Sequence, residues 1–382
     1  MINDFIELVR KHYDSPSEFI PLHAPVFKGN ELKYVTETIQ STFVSSVGAF
    51  VDQFEKVMVD LTGAKYAVAT VNGTAALHIA LHSIGVTFGD EVITQALSFV
   101  ATANAIRYTG ADPVFVDVDL DSMGLSPSAL LNFLESSCEV RDGIVYNKVS
   151  GKKIKAIVPM HTFGNPSRIE EIVAIANQFQ LPVIEDSAES LGSYVKKRHT
   201  GTFGKLGVFS FNGNKTVTCG GGGAVVTDDI ELGKRIKHIT TTAKVPHPWE
   251  YSHDELGFNY RMPNLNAALA CAQLEQLDSF LSEKRELSNK YIGFFKNSHI
   301  KFQEEISETK SNYWLNTICL KDKTERDEFL KQTNDMKVMT RPAWNLLNTS
   351  PMFEHCISDS LSHSKYLADR LVNIPSGVKW KN

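Results

Sequence analysis

Short apolar segments alternate with helical segments between residues 66 and 186, and this alternation constrains the fold more than any other feature of the chain. The apolar segments are rich in β-branched residues and bounded by turn residues, as expected for buried strands. They span residues 66–70, 91–95, 113–119, 154–160 and 182–186. Strands that alternate with helices predict a largely parallel sheet covered on both faces, with ligands at the carboxyl ends of the strands.

Residues 206–229, LGVFSFNGNKTVTCGGGGAVVTDD, extend this pattern and contain the first candidate for chemistry. Residues 208–211 and 224–227 are typical of two further buried strands. The connection between them carries Lys215 and then the run Gly220 to Gly223. Glycine accepts positive φ and lets a backbone or a ligand come close, so this loop can fold tightly around whatever Lys215 binds. A solvated surface lysine and an ordinary turn are the alternatives.

Composition and charge exclude several classes of protein. The 382 residues carry a formal net charge of −5, which disfavours nucleic acid and acidic membrane surfaces as partners. The five cysteines are scattered and lack CxxC spacing, which predicts reduced thiols and neither disulfides nor a metal site. Neither a signal peptide nor the roughly 18-residue apolar run of a spanning helix is present. A cytoplasmic protein is expected.

Polar and aromatic residues follow several of the predicted strands. The turn at Gly73 and Thr74 opens a helix, where free backbone N–H groups bind a phosphate or simply form a helix cap. Phe99 follows the second strand and either stacks on a flat ring or packs in the core. His161 follows the fourth strand, and the alternatives are a core histidine and a substrate contact. Asp186 ends the fifth strand, where a buried carboxylate requires a partner.

Together these groups predict a site for a phosphorylated, flat aldehyde with a ring nitrogen, a description that fits pyridoxal 5'-phosphate (PLP). The turn at Gly73 would bind the phosphate, Asp186 the pyridine nitrogen and Lys215 the aldehyde carbon. Only a primary amine forms the required covalent link, which explains the lysine. Asp186 would keep the ring protonated, so that the cofactor withdraws electrons from the substrate. A nicotinamide-dependent sugar oxidoreductase is disfavoured because the sequence lacks the glycine fingerprint of a dinucleotide site.

Five motifs, in this order, resemble the DegT/DnrJ/EryC1 family of sugar aminotransferases. They are NGTAALHIAL (72–81), SFVATANAI (98–106), EDSAESLGS (185–193), FSFNGNKTVTCGGGGAVVTDD (209–229) and GFNYRMPNLNAALACAQLE (257–275). The resemblance implies an α/β protein of PLP fold type I, with a large, mainly parallel seven-stranded domain and a smaller C-terminal α+β domain. We expect an N-terminal arm over residues 1–20, the large domain over 21–263, and a linking helix with the small domain over 264–382.

The resemblance also implies roles for individual residues. Lys215 would bind the cofactor covalently and then move a proton between the substrate carbon and the cofactor carbon, while Asp186 pairs with the pyridinium. Phe99 would stack on the ring, and Glu189 would lie near the ring oxygen. The implied phosphate contacts are Gly73, Thr74, Ser210 and, reaching across from a neighbouring subunit, Asn259. The active unit would therefore be a homodimer with shared sites.

The sequence departs from the family pattern at three positions. Gly221 stands where many relatives carry glutamate, Asn72 where many carry serine, and Glu189 where many carry glutamine. One branch of the family replaces the lysine with histidine and dehydrates its substrate, and Lys215 argues against that reaction.

Several segments, among them residues 20–35 and TRPAWNLLN (340–348), most resemble the branch that aminates a nucleotide-linked 4-keto-6-deoxy-N-acetylhexosamine on the way to legionaminic acid, for a surface glycan. L-glutamate would donate the amino group and leave as 2-oxoglutarate, and the carrier, UDP or GDP, stays open. The alternatives are another nucleotide-sugar aminotransferase, of the perosamine type or acting at C3, and a PLP-binding regulator without turnover. The candidate substrate contacts are His161, Asn316, Arg341 and Trp344, for which ordinary packing is the alternative.

Overall fold

The computed structural model describes residues 1–379, so the last three residues of the expected C-terminal domain, 380–382, lie outside the described residues. The helices are α1 (Ile2–Tyr13), α2 (Glu31–Gln40), α3 (Ala49–Thr62), α4 (Gly73–Ser83), α5 (Val100–Tyr108), α6 (Pro127–Ser137), α7 (Ile169–Gln178), α8 (Ile230–Thr240), α9 (Asn264–Leu274), α10 (Leu277–Phe295), α11 (Lys323–Asp335) and α12 (Ser362–Ala368). Short 3₁₀ helices span Thr162–Gly164 and Leu347–Thr349.

The strands follow the same chain order. They are β1 (Tyr66–Thr70), β2 (Glu91–Gln95), β3 (Asp112–Val116), β4 (Cys138–Arg141), β5 (Ile144–Asn147), β6 (Ile154–Val158), β7 (Ile184–Asp186), β8 (Tyr194–Val195), β9 (Arg198–His199), β10 (Leu206–Ser210), β11 (Gly223–Thr227), β12 (Lys301–Phe302), β13 (Thr309–Lys310), β14 (Asn316–Cys319), β15 (Arg341–Pro342) and β16 (Leu371–Ile374).

Seven strands form the central sheet, in the order β1-β11-β10-β7-β6-β2-β3. Parallel bridges from Ile157 to Val183 and from Met160 to Asp186 join its two halves. Only β11, among these seven, runs antiparallel to its neighbours. The predicted α/β fold with a mainly parallel seven-stranded sheet is therefore confirmed. The parallel strands bring their carboxyl ends to one edge.

Helices cover both faces of this sheet, which explains why its strands are apolar throughout. Along β11, Val225 packs in the cluster that α4, α5 and α8 form on one face. Its neighbours Ala224 and Val226 pack with α3 and α9 on the other face. Because side chains alternate along a strand, a strand buried on both faces needs an apolar residue at every position.

The C-terminal part contains a four-stranded antiparallel sheet, in the order β12-β14-β16-β15. Helix α1, which belongs to the expected N-terminal arm, packs into its core: Phe5 is fully buried, and its ring centroid lies 5.9 Å from that of Tyr291 and 5.3 Å from that of Phe329. The domain boundaries at residues 20 and 263 stay predictions.

The prediction of one linking helix at the start of the small domain is wrong, because two separate helices, α9 and α10, follow residue 263. The chain turns at Gln276, whose side-chain amide donates to Glu31 of α2 over 2.6 Å. No glycine or proline marks this break in the sequence. Across residues 1–379, no helix is both long enough and apolar enough to cross a membrane.

Candidate active site

A cavity of about 390 Å³ lies at the carboxyl ends of the central strands. It brings together most of the residues that the sequence singled out, namely Gly73, Thr74, Phe99, Asp186, Glu189, Ser210, Lys215 and Trp344. A larger groove, of about 960 Å³, opens at the opposite edge of the sheet between Lys155 and Lys205. None of the predicted site residues lines that groove, so the chemistry belongs to the smaller cavity.

The first wall of the cavity is the turn between β1 and α4. The Asn72 side chain accepts a hydrogen bond from the N–H of Ala75 over 2.8 Å and thereby starts the helix. The first N–H groups of a helix have no partner within it, so those of Gly73 and Thr74 are available to an anion. A Cβ atom on Gly73 would lie 2.8 Å from the Cβ atom of Ser210, so only glycine lets the Ser210 hydroxyl approach this turn.

The glycine run after Lys215 supports the same turn in a different way from that expected. Positive φ occurs at Gly220 alone within the run, with a φ of 79°. A Cβ atom on Gly223 would lie 2.5 Å from the backbone of Asn72. The absence of a side chain at Gly223 therefore lets β11 pass against the turn that precedes α4.

Asp186 forms the second wall, where its side chain is almost completely buried. The Thr102 hydroxyl donates to Oδ2 over 2.6 Å, and the N–H of Ala188 donates to Oδ1 over 3.2 Å. Burial raises the pKa of Asp186, while these donors and the charge of Lys215 lower it. A buried carboxylate of this kind is stabilised by a cationic group inside the cavity.

Lys215 lies opposite, in the connection between β10 and β11. Its Nζ is 3.2 Å from Oε1 of Glu189 and 3.9 Å from the centroid of the Trp314 ring. The other oxygen of Glu189, Oε2, accepts from the N–H of Phe163 over 2.9 Å. Burial raises the pKa of Glu189 to about 7. A carboxyl group whose pKa lies in the neutral range thus faces the Lys215 amine in the cavity.

Aromatic side chains close the cavity. Phe99 remains half exposed, and its ring centroid is 6.3 Å from that of Trp344. Trp344 in turn packs on Phe163, with 4.7 Å between ring centroids. Trp314 and Thr102 also line the cavity, and the sequence reasoning missed both. Trp314 lies two residues before Asn316, which was predicted to contact the substrate. A tryptophan just before a predicted strand could have identified it as a site residue.

Two of the predicted substrate contacts, His161 and Asn316, do not line the cavity. His161 is fully buried, with Nε2 3.0 Å from Glu185 Oε2 and Nδ1 accepting from the N–H of Ser167. Asn316 is also fully buried and accepts from the Ser288 hydroxyl over 2.6 Å. The polar atoms of both side chains are thus bonded to other protein groups away from the cavity.

Two further predicted residues lie on the surface, outside the cavity. Arg341 is exposed and pairs through its backbone with Asn373. Asn259 is also exposed and forms a backbone bridge with Thr241. Their roles toward a substrate and toward a neighbouring subunit stay predictions.

The groups around the cavity fit PLP. Backbone N–H groups and the Ser210 hydroxyl suit its phosphate, the Asp186 carboxylate suits a protonated ring nitrogen, and the Lys215 amine suits its aldehyde. Such an arrangement at the strand ends of this sheet defines a PLP-dependent transferase of fold type I.

The chain belongs to the DegT/DnrJ/EryC1/StrS aminotransferase family, whose sequence profile matches residues 25–382. It is 38% identical over 364 residues to the GDP-perosamine synthase of Escherichia coli O157:H7, covering 94% of this chain and 93% of that protein. The GDP-perosamine synthase of Vibrio cholerae is 35% identical over 369 residues, covering 94% of each chain.

Comparison with solved structures supports the same family. A DegT DnrJ EryC1 StrS aminotransferase from Brucella abortus superposes with a TM-score of 0.84 at 26% identity, over 91% of this chain and 90% of that chain. The predicted family, the PLP cofactor and the class of sugar aminotransferase are thus confirmed. Two of these relatives are named GDP-perosamine synthase, the type of enzyme that was the alternative to the legionaminic branch.

Proposed function

We propose that the protein transfers the amino group of L-glutamate to C4 of a nucleotide-linked 4-keto-6-deoxyhexose and releases 2-oxoglutarate. The observation that carries this proposal is the Lys215 amine in one cavity with Asp186 and the turn at Gly73. A GDP-linked substrate that gives a perosamine-type 4-amino sugar is the first candidate, because two relatives at 38% and 35% identity are named GDP-perosamine synthase. The N-acetylhexosamine of the legionaminic route is the second candidate, supported by residues 20–35 and 340–348.

Lys215 is the proposed catalytic base. In the glutamate half-reaction its amine would take the proton from the α-carbon of glutamate and return it to the cofactor carbon. In the sugar half-reaction it would move a proton from the cofactor carbon to C4 of the sugar. Glu189, 3.2 Å away, can accept a proton from this amine and return it. PLP supplies an electron sink when bound, and Asp186 keeps the proton on its ring nitrogen.

Other residues bind and orient. Gly73, Thr74 and Ser210 would hold the phosphate and so fix the position of the ring relative to Lys215. Phe99 and Trp344 offer flat apolar faces that exclude water from the cavity. Fixing the reacting carbon beside the amine replaces a bimolecular encounter by a step within one complex.

We propose further that the active unit is a homodimer in which Asn259 completes the phosphate site of the neighbouring subunit. Asn259 is exposed, as that role requires. Large apolar side chains close to it in sequence are also exposed, with Trp249, Tyr251 and Leu256 each above 75%. Exposed apolar groups clustered in one segment support a protein interface there. Size-exclusion chromatography with light scattering would show a dimer, and an Asn259→Ala variant should bind the cofactor more weakly.

The test is amination of a panel of GDP- and UDP-linked 4-keto-6-deoxy sugars, with and without N-acetyl groups, by the PLP-loaded enzyme with L-glutamate. Mass spectrometry of each product should show a keto group replaced by an amine in at least one case. Amination of the GDP-linked hexose alone supports the first candidate, and amination of the N-acetylated sugar alone supports the second. A Lys215→Ala variant should aminate none of them, and turnover by that variant would disprove the proposed chemistry.

A PLP-binding regulator without turnover would give a different result. It would keep the visible absorbance of the bound cofactor, yet leave the whole panel and the glutamate unchanged. Formation of 2-oxoglutarate from glutamate, measured in the absence of any sugar, separates an aminotransferase with an untested substrate from such a regulator.

A further inference from the structure

Helix α10 buries a lysine that the proposed reaction does not use. The Lys284 side chain is 1% exposed, and its ammonium donates hydrogen bonds to the backbone carbonyl groups of Trp314 and Ser376. No carboxylate among residues 1–379 lies within 4.0 Å of Nζ. An ammonium removed from water without a counter-charge is costly, and burial lowers the pKa of Lys284 to about 7. Packing alone would favour an apolar side chain at this position.

The segment that Lys284 holds is constrained from several sides. Tyr313 has a φ of 46°, in the left-handed region that a non-glycine residue adopts only when its surroundings require it. The N–H of Trp314 donates to Oδ1 of Asn312 over 2.8 Å, and its indole N–H donates to the carbonyl of Asn214 over 2.7 Å. With Lys284 on the carbonyl group, both the backbone and the ring of Trp314 are fixed.

This fixed ring touches the proposed base. The indole of Trp314 lies over Nζ of Lys215, with 3.9 Å between the amine and the ring centroid. Such a contact attracts an ammonium and restricts where the amine can move. The same segment also contacts the strand end that carries Glu189, because the Asn312 amide donates to the Glu189 carbonyl over 2.8 Å.

We propose that Lys284 is a positioning residue of the reaction: it fixes Trp314, and the Trp314 indole fixes the Lys215 amine relative to the carbon that loses its proton. A small displacement of a reacting group slows the chemical step without weakening substrate binding at a remote point. Loss of Lys284 should therefore slow proton transfer and leave the KM for the nucleotide sugar unchanged. This inference rests on the proposed role of Lys215.

The experiment compares Lys284→Met with Tyr291→Phe in the PLP-loaded enzyme. Methionine fills most of the volume of lysine but cannot donate to Trp314. Tyr291 lies on the same helix and is buried, and its hydroxyl donates to the Pro375 carbonyl over 2.9 Å. Tyr291→Phe therefore removes a hydrogen bond to the residue next to Ser376 and leaves the bond to Trp314 in place. The half-reaction with glutamate is followed by stopped-flow absorbance, using ordinary and α-deuterated glutamate.

We expect Lys284→Met to slow the glutamate half-reaction about 10-fold or more, to increase its primary deuterium isotope effect and to leave the sugar KM within twofold of wild type. Tyr291→Phe should match wild type in rate and isotope effect. Wild-type kinetics in Lys284→Met, or the same change in Tyr291→Phe, would overturn the inference.

A double substitution provides a second test that does not depend on the folding of one variant. If Lys284 acts through Trp314, then adding Lys284→Met to Trp314→Phe should lower the rate less than Lys284→Met does alone. Fully additive losses would show that Lys284 acts by another path and would reject the inference. Lys215→Ala separates the two proposals. If that variant remains active, Lys215 is not the base and the proposed function fails. If it is inactive while Lys284→Met behaves like wild type, only the positioning role of Lys284 fails.

Discussion

The amine of Lys215 and the carboxyl group of Glu189 lie 3.2 Å apart, and water reaches neither of them freely: their side chains are 13% and 1% exposed. Burial raises the pKa of Glu189 to about 7 and outweighs the opposing effect of the Lys215 charge. A glutamine at this position could not change its charge. The pair therefore makes the protonation of this cavity depend on pH in the neutral range.

A Glu189→Gln substitution should stabilise the cofactor-free protein relative to wild type as the pH rises. The folded protein binds the Glu189 proton more tightly than the unfolded chain does, because the pKa of Glu189 is about 7 in the folded protein and 4.5 for an ordinary glutamate. That contribution to stability is complete below about pH 4.5 and is lost as the pH rises through about 7. The gain should reach about 3 kcal/mol. Urea unfolding at pH 5 and pH 7.5 measures it, and a difference that does not change with pH would contradict this pKa.

A Thr102→Val substitution should reduce kcat about 10-fold, since it removes the 2.6 Å hydrogen bond to Oδ2 of Asp186, and a bond to a charged group contributes about 1.5–3 kcal/mol. The Thr102 hydroxyl lowers the pKa of Asp186, so its loss should raise that pKa further and move the acid limb of the pH–rate profile to higher pH. Thr333→Val is the control, because it removes a buried hydroxyl that bonds within and beside α11. A parallel loss of activity in that control would indicate a general effect on stability.

The central sheet was predictable because each strand is a short apolar segment between turn residues, and chain order alone brings Asp186 and Gly73 to one edge. Strand order was not predictable, since the antiparallel placement of β11 between β1 and β10 depends on pairing between residues far apart in sequence. The β4–β5 hairpin was overlooked although Asp142-Gly143 is a turn signal between two strand-like segments.

Side-chain partners explain the remaining differences. His161 is a predicted substrate contact because it follows a strand, and Asn316 because of the family resemblance. Glu185 and Ser288, from other segments, already bond them. Lys284 lies in the polar sequence SEKRELS, which is typical of an exposed helix face, and only the packing of α10 buries it. A local pattern cannot identify a partner that the fold supplies.

A Gly73→Ala substitution should weaken cofactor binding at least about 10-fold. The added Cβ atom would lie 2.8 Å from the Cβ atom of Ser210, so the turn or the end of β10 has to move and the phosphate contacts separate. Gly293→Ala is the matched control: it lies in α10 with no atom within 4 Å of the new methyl group, and it should stabilise the helix by about 0.5–1 kcal/mol. Absorbance titration with PLP measures both, and equal affinities would argue against a phosphate at this turn.

A Phe5→Ala substitution should cost about 3–5 kcal/mol of unfolding free energy, although Phe5 lies in the segment expected to be an arm. Its ring is fully buried between Tyr291, Phe295 and Phe329, all from the C-terminal part of the chain. Phe88→Ala, at an 87% exposed position, should change stability by less than about 0.5 kcal/mol. Urea unfolding compares the two variants. Equal midpoints would mean that the Phe5 ring contributes nothing to the C-terminal core, whereas the expected difference would show that α1 stabilises the core formed with α10, the helix that carries Lys284.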